Sequence, residues 1–182
     1  MRRWPVMMTA NETLTIRQAE INESAEVMSL IQLCTEDMLS KHIFQWDEYY
    51  PNFSYIEETA NANELYVLCE SRKIIGAVVL NEWQSEEWDN VAWSDNSSQA
   101  LIIHTLCLLP SEQGKGYGKK LLLFCEKFAA EQKYSCIRLD AFSGNKAALT
   151  LYESNRYIKR GEVQFSSKPA GHQTYFCYEK EL

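Results

Sequence analysis

Histidine is scarce in this 182-residue sequence: there are three, none near a Cys-x-x-Cys pair, so no metal centre is expected. Proline and glycine are few as well, four and seven, and no Pro/Gly/Ser-rich linker, repeat or low-complexity segment divides the chain. A single domain over residues 13–182 is expected, after a flexible leader of residues 1–12 that has two arginines but no cleavage site or long apolar run. No apolar stretch is long enough to cross a membrane, so no membrane partner is expected. Positive charge is in deficit, 18 Lys and Arg against 25 Asp and Glu for a net charge of -7, which argues against a nucleic-acid partner. Six cysteines are present, but they are scattered in apolar settings such as "YVLCES", "HTLCLL" and "YSCIRL". That pattern predicts reduced, buried thiols and a cytoplasmic protein rather than a disulfide framework.

Hydrophobic residues make up 46% of the chain, enough for one substantial core. "LTIRQA" predicts a short strand. "SAEVMSLIQLCTEDMLSK" predicts a helix, because Val27, Leu30, Ile31, Cys34 and Met38 recur at helical spacing. "HIFQWDEYYPNFSYIEETANA" is broken by Pro51 into a loop and a short helix. "ELYVLCE" and "KIIGAVVLNEW" read as an antiparallel hairpin. "QSEEWDNVAWSDNSSQ" has no period and reads as a loop. "ALIIHTLCLLP" is a strand ended by Pro110, and "YGKKLLLFCEKFAAEQK" a helix burying Leu121, Leu122, Cys125, Phe128 and Ala129. The strand "YSCIRLDAF", the helix "NKAALTLYESN" and the strands "YIKRGEVQF" and "QTYFCYEKE" follow. The order predicts an α/β fold with a mixed, twisted sheet of six or seven strands and about four helices.

Three alternate glycines, Gly114, Gly116 and Gly118, lie between that apolar strand and the helix. A strand, a glycine-rich turn and a helix start form a phosphate-binding device, because N–H groups at a helix start lack internal partners and glycine admits close approach. A Walker A motif would need glycine at 113 and Ser or Thr at 120, where Gln113 and Lys120 stand. A dinucleotide fingerprint would need a third glycine at 119, occupied by Lys119, although Asp140 lies about the right distance on.

"LLPSEQGKGYG" instead resembles the acetyl-coenzyme A loop of the GCN5-related N-acetyltransferase (GNAT) family, carried here by Gln113, Gly116 and Gly118. The resemblance implies the acyl-CoA N-acyltransferase fold, acetyl-CoA as cosubstrate, and a pyrophosphate wrapped by the backbone of Gly114, Lys115, Gly116, Tyr117, Gly118 and Lys119. "NKAALTLYESNRY" resembles the family's late motif. By that resemblance Asn145 caps a helix beside the cofactor, Ala148 packs on the pantetheine arm, and Tyr152 lies near the thioester sulfur as the acid for the departing thiolate. Where the family continues with glycine this chain has Arg156, at a position that favours the left-handed conformation. The strand residues Leu106, Cys107 and Leu108 correspond to those whose main chain bonds the pantetheine, with the Leu108 N–H stabilising the oxyanion.

The residues taken singly have plainer readings. Asn145 is an ordinary helix cap, Tyr152 a core tyrosine, and the lysines at 115, 119 and 120 a solvated face unless an anion is near. Alternation puts His104 on the face of Leu106, as a buried histidine or a base. The implied function is an N-acetyltransferase in which a small-molecule primary amine attacks directly in a ternary complex. A peptide or protein N-acetyltransferase, a non-catalytic acyl-CoA-binding regulatory domain and, least of all, a nucleotide-dependent oxidoreductase are the alternatives. The acceptor is expected at His42 to Tyr55 and at the loop Glu86 to Asp95, where indoles beside carboxylates suit a cation. Alternatively, the four indoles Trp46, Trp83, Trp88 and Trp93 close the core or a homodimer face.

Overall fold

The computed structural model describes residues 14–94 and 99–182. The leader at residues 1–12, and Asp95 at the end of the second acceptor stretch, lie outside the described residues. Seven strands and four α-helices occur among them: β1 (Leu14–Gln18), α1 (Ser24–Ser40), α2 (Phe53–Asn61), β2 (Leu65–Glu70), β3 (Lys73–Asn81), β4 (Ala100–Leu108), α3 (Tyr117–Glu131), β5 (Cys136–Phe142), α4 (Lys146–Ser154), β6 (Ile158–Gln164) and β7 (Thr174–Glu181). The order and kind of these elements match the expectation from hydrophobic period. Short 3-10 turns at Ile21–Glu23, Glu86–Trp88 and Pro110–Glu112 are additions that three-residue signals are too short to announce.

The strands form one seven-stranded sheet in the order β1-β2-β3-β4-β5-β7-β6. The β4–β5 pair is parallel, whereas β1–β2, β2–β3, β5–β7 and β6–β7 are antiparallel, so the sheet is mixed. The last strand lies between β5 and β6. By their contacts the residues fall into two compact units, between which the chain passes repeatedly. One draws on residues up to Asp37, on Trp46–Leu80 and on His104–Leu121; the other on Met38–Gln45, Asn81–Ile103 and Leu122–Leu182.

In the first unit β2 buries Leu65 to Cys69 and β3 buries Ile74 to Leu80 without a break, the pattern of strands covered on both faces. Helix α1 buries Val27, Leu30, Ile31 and Cys34, as its period predicts. In the second unit α3 buries Leu122, Cys125 and Ala129. A separate cluster there joins Trp88 and Val91 to Cys136, Phe142, Val163, Tyr175 and Cys177. All six cysteines are buried free thiols. No helix among the described residues is long and apolar enough to cross a membrane, and no His/Cys/Asp/Glu group among them could hold a metal.

Candidate active site

The glycine loop belongs to the first unit. Gly114 and Gly116 adopt φ of 76° and 83°, and no atom lies within 4 Å of where a Cβ would stand on either. The glycines therefore serve a turn in the left-handed region, and the space above them is open. Gly116 opens α3, whose first N–H groups lack intrahelical partners and whose first turn carries no acidic residue. A backbone donor set with open space over it fits an anionic group such as a pyrophosphate. The lysines differ in their surroundings. Lys115 is paired with Glu112 at 2.9 Å, and this contact lowers the Glu112 carboxyl and raises Lys115. Lys120 lies 5.3 Å from the ring centre of Tyr117, whose hydroxyl donates to Glu70, while Lys119 is exposed.

The β4 residues Leu106, Cys107 and Leu108 sit in the same unit. The Leu108 carbonyl accepts from the Gln113 side-chain amide at 3.3 Å and from the Cys34 thiol at 3.1 Å, so Gln113 ties the loop back to the strand end. Hydrogen bonding with Cys34, then burial, pushes the Cys107 thiol well up, which keeps it protonated and makes it no nucleophile. A Cβ on Gly76 of β3 would stand 2.7 Å from the Leu108 Cδ2 and 3.0 Å from the Cys107 carbonyl, so this glycine makes room for β4. Thr105 has φ of 52°, a conformation that a β-branched residue rarely takes. Burial alternates through it all the same: His104 and Leu106 are half-buried and Thr105 and Cys107 buried, in keeping with His104 and Leu106 on one face. The Thr105 hydroxyl lies 3.3 Å from the Tyr50 hydroxyl, and the Tyr50 ring packs 5.2 Å from that of Tyr55.

The late motif lies in the second unit. The Asn145 carbonyl oxygen accepts from the Ala148 N–H at 3.2 Å, which caps α4, and its amide donates to Gln45 at 2.9 Å. Ala148 is half-buried. Tyr152 is 7% exposed and its ring lies tilted against those of Tyr157 and Tyr178, 5.9 Å and 6.0 Å away. The Tyr178 hydroxyl donates to Glu153, whereas the Tyr152 hydroxyl has no hydrogen-bond partner among the described residues. Burial first, then the charge of Asp140, raises Tyr152, so it is a protonated phenol at neutral pH. Arg156 takes φ of 68°: the turn after α4 keeps the left-handed geometry expected of a glycine.

The acceptor stretches divide. His42 to Gln45 belongs to the second unit, where the His42 carbonyl meets His172 and the Gln45 carbonyl accepts from Tyr175, and Trp46 to Tyr55 belongs to the first. In the other stretch Glu86, Glu87 and Asp89 are exposed, but Trp88 is 3% exposed and its indole N–H donates to Asp140 at 3.0 Å. Trp93 packs against Trp88, and the cation over its face is the chain's own Arg138, at 4.5 Å. Trp46 is buried and Trp83 is 65% exposed. Gln45, Gly76 and Asp140 are residues that the motif reading did not place. An isolated glycine in "IIGAVV" and a lone acid in "IRLDAF" were the available signals for two of them; Gln45 lay inside the expected acceptor stretch His42 to Tyr55, with nothing to single it out there.

The sequence profile of the acetyltransferase (GNAT) family matches residues 27–156. No curated protein matches the chain. Among solved structures, a GNAT-family acetyltransferase of Streptococcus agalactiae is similar with a TM-score of 0.81 at 18% identity, over 98% of this chain and 99% of that one. A ribosomal-protein-alanine N-acetyltransferase of Brucella melitensis is similar at 0.70 and 15%, over 92% and 99%. An agmatine N-acetyltransferase is similar at 0.69 and 15%, over 93% and 99%. These identities speak for the fold alone, and the profile, which spans most of the described elements from α1 to the turn after α4, carries the rest: the chain belongs to the GNAT family of acetyltransferases.

Proposed function

We propose that the protein transfers the acetyl group of acetyl-CoA to a primary amine of a small cationic molecule, by direct attack of the amine. The observation that carries the reading is Tyr152: a phenol held protonated, with an unpartnered hydroxyl, in the helix that Asn145 caps. Its neighbour Tyr178, by contrast, spends its hydroxyl on Glu153. Bound acetyl-CoA supplies an activated thioester. The chain's own residues then divide the work. The N–H groups from Gly114 to Lys119 receive the pyrophosphate, with the exposed Lys119 in the first turn of α3 as a cation beside them. The Leu108 N–H faces the charge that develops on the carbonyl oxygen. Tyr152 gives its proton to the departing sulfur.

The preference for a cationic acceptor rests on the net charge of -7 and on the exposed Glu86, Glu87 and Asp89. The similarity in fold to an agmatine N-acetyltransferase supports this choice of acceptor. A panel of alkyl diamines, polyamines, amino acids and short peptides, assayed for release of the CoA thiol, tests the reading. Turnover confined to peptides, or to uncharged and anionic acceptors, would overturn the choice of substrate class, and absence of turnover with every acceptor would overturn the enzymatic reading itself.

A further inference from the structure

We propose that the Asp140 carboxylate is the acceptor's anchor and proton acceptor: it receives the substrate ammonium and takes one of its protons before the nitrogen attacks. This rests on the reading that the acceptor is a cationic amine. Strand alternation puts Cys136, Arg138, Asp140 and Phe142 of β5 on one face, opposite Glu181, Glu179, Cys177 and Tyr175 of β7. Over that face lie Trp88, Val91 and Trp93. Asp140 therefore carries a carboxylate into an aromatic enclosure.

Among the described residues no cation stands within ion-pair distance of it, and Lys168 acts on it only through its charge from further away. Arg138, two residues away, bonds Glu179 at 3.0 Å and Gln84 at 3.1 Å and lies over Trp93. The partner of Asp140 among the described residues is the neutral indole N–H of Trp88, which occupies Oδ2. The other oxygen is free, and the residue is only half-buried while Ile137, Leu139, Ala141 and Phe142 around it are buried. An enclosed carboxylate without a cation in direct contact is costly in a folded protein, and a cationic ligand that makes such contact offsets that cost. The chargeable groups that face it are Glu87 from the 3-10 turn, Lys168 from the β6–β7 connection, Tyr152 from α4 and Cys177 from β7. Burial raises its carboxyl to about 6, with the Trp88 N–H opposing, Glu87 adding and Lys168 opposing. The carboxylate is thus ionised at neutral pH, yet basic enough to take a proton from a bound ammonium.

The protons balance. The ammonium gives one proton to Asp140, and the nitrogen lone pair forms the N–C bond as the C–S bond breaks. Tyr152 protonates the sulfur and recovers a proton from the acylated nitrogen. The proton on Asp140 then leaves to solvent, so amide, free thiol and one proton are the products.

The test takes the best amine from the acceptor panel and compares the full-length protein with Asp140→Asn, which can still accept from Trp88. The acid limb of wild-type kcat/KM should lie near pH 6 and vanish in the variant, whose rate should instead rise in proportion to free amine up to the amine's own pKa. The loss at neutral pH should be on the order of a hundredfold or more. CoA affinity by calorimetry should not change. The melting temperature at pH 7.5 should stay level or increase. A carboxyl that holds its proton more tightly when folded contributes fully at low pH and loses that contribution as pH rises through about 6. Trp88→Phe, which removes the opposing donor and keeps the carboxylate, should move the acid limb upward. An Asp140→Asn variant with the wild-type profile, or one whose lost rate is matched by lost CoA affinity or a lower melting temperature, overturns the role for Asp140 while leaving amine acetylation standing. A panel that yields no amine acceptor overturns both.

Discussion

The glycine loop and the Asp140 enclosure are built in opposite ways. Residues 113–119 offer backbone donors from one continuous stretch, exposed apart from the half-buried Tyr117 and Gly118, with open space above Gly114 and Gly116. Asp140 is one side chain assembled with partners from Trp88, Lys168 and Cys177, far apart in sequence and joined by strand pairing and packing. The loop suits an anion that is the same for every member of a family, because backbone geometry carries no side-chain identity. The enclosure suits a ligand that differs from member to member, because changing one indole or one carboxylate changes what it accepts. Constancy and variety are thus placed in different kinds of structure.

Substitutions at either kind of site test that contrast. The largest expected effect is at Tyr152: Tyr152→Phe should lower kcat by about tenfold to a thousandfold while calorimetric CoA affinity stays unchanged, the mark of a group acting only in the transition state. If turnover is unchanged when chemistry limits the rate, Tyr152 is packing. In the loop, Gly116→Val should weaken CoA binding by roughly tenfold to a hundredfold through displaced N–H donors. It should also cost stability, because φ of 83° strains a β-branched residue by about 1–3 kcal/mol even where space is open. Equal CoA affinity in that variant would remove the loop from the site. Gly76→Ala, which touches neither ligand, should cost about 1–3 kcal/mol of stability by pressing a Cβ against Leu108 and the Cys107 carbonyl. Chemical denaturation would show this, and an unchanged midpoint would mean that β4 yields there. The smallest effect runs the other way. Arg156→Gly should stabilise by about 1 kcal/mol, relieving a left-handed arginine, and raise the melting temperature by roughly 2–4 °C.

How much of this the sequence disclosed follows the same division. The order of elements, the glycine loop and the Asn145–Tyr152 helix are local patterns, fixed by period and spacing within a few residues, and they were legible. Arg156 shows that even a departure from a motif can keep its geometry: the turn after α4 holds its left-handed residue without a glycine. The insertion of β7 between β5 and β6 was not legible, because pairing partners are chosen across distance. The left-handed backbone at Thr105 was not legible either, since a threonine in an apolar strand announces ordinary extended dihedrals. Trp88 and Trp93 were open to two readings, a cation-binding face or closure of the core. Tertiary packing gave one N–H to Asp140 and the other ring face to Arg138.

The buried Glu179 bears on how the wall above β5 behaves. Burial alone would raise its carboxyl, but the Ser94 N–H and Arg138 outweigh that and hold it below the usual carboxylate range. It also accepts from Arg160 at 2.8 Å. The segment from Trp88 to Ser94 is therefore pinned at both ends, by an indole on Asp140 and by a main-chain N–H on Glu179. Conformational entropy of that segment is surrendered when the chain folds, so the acceptor proposed above would have little left to order there. Selection at such a wall would work by rigid fit, and a ligand of the wrong shape would not recover affinity by remoulding it.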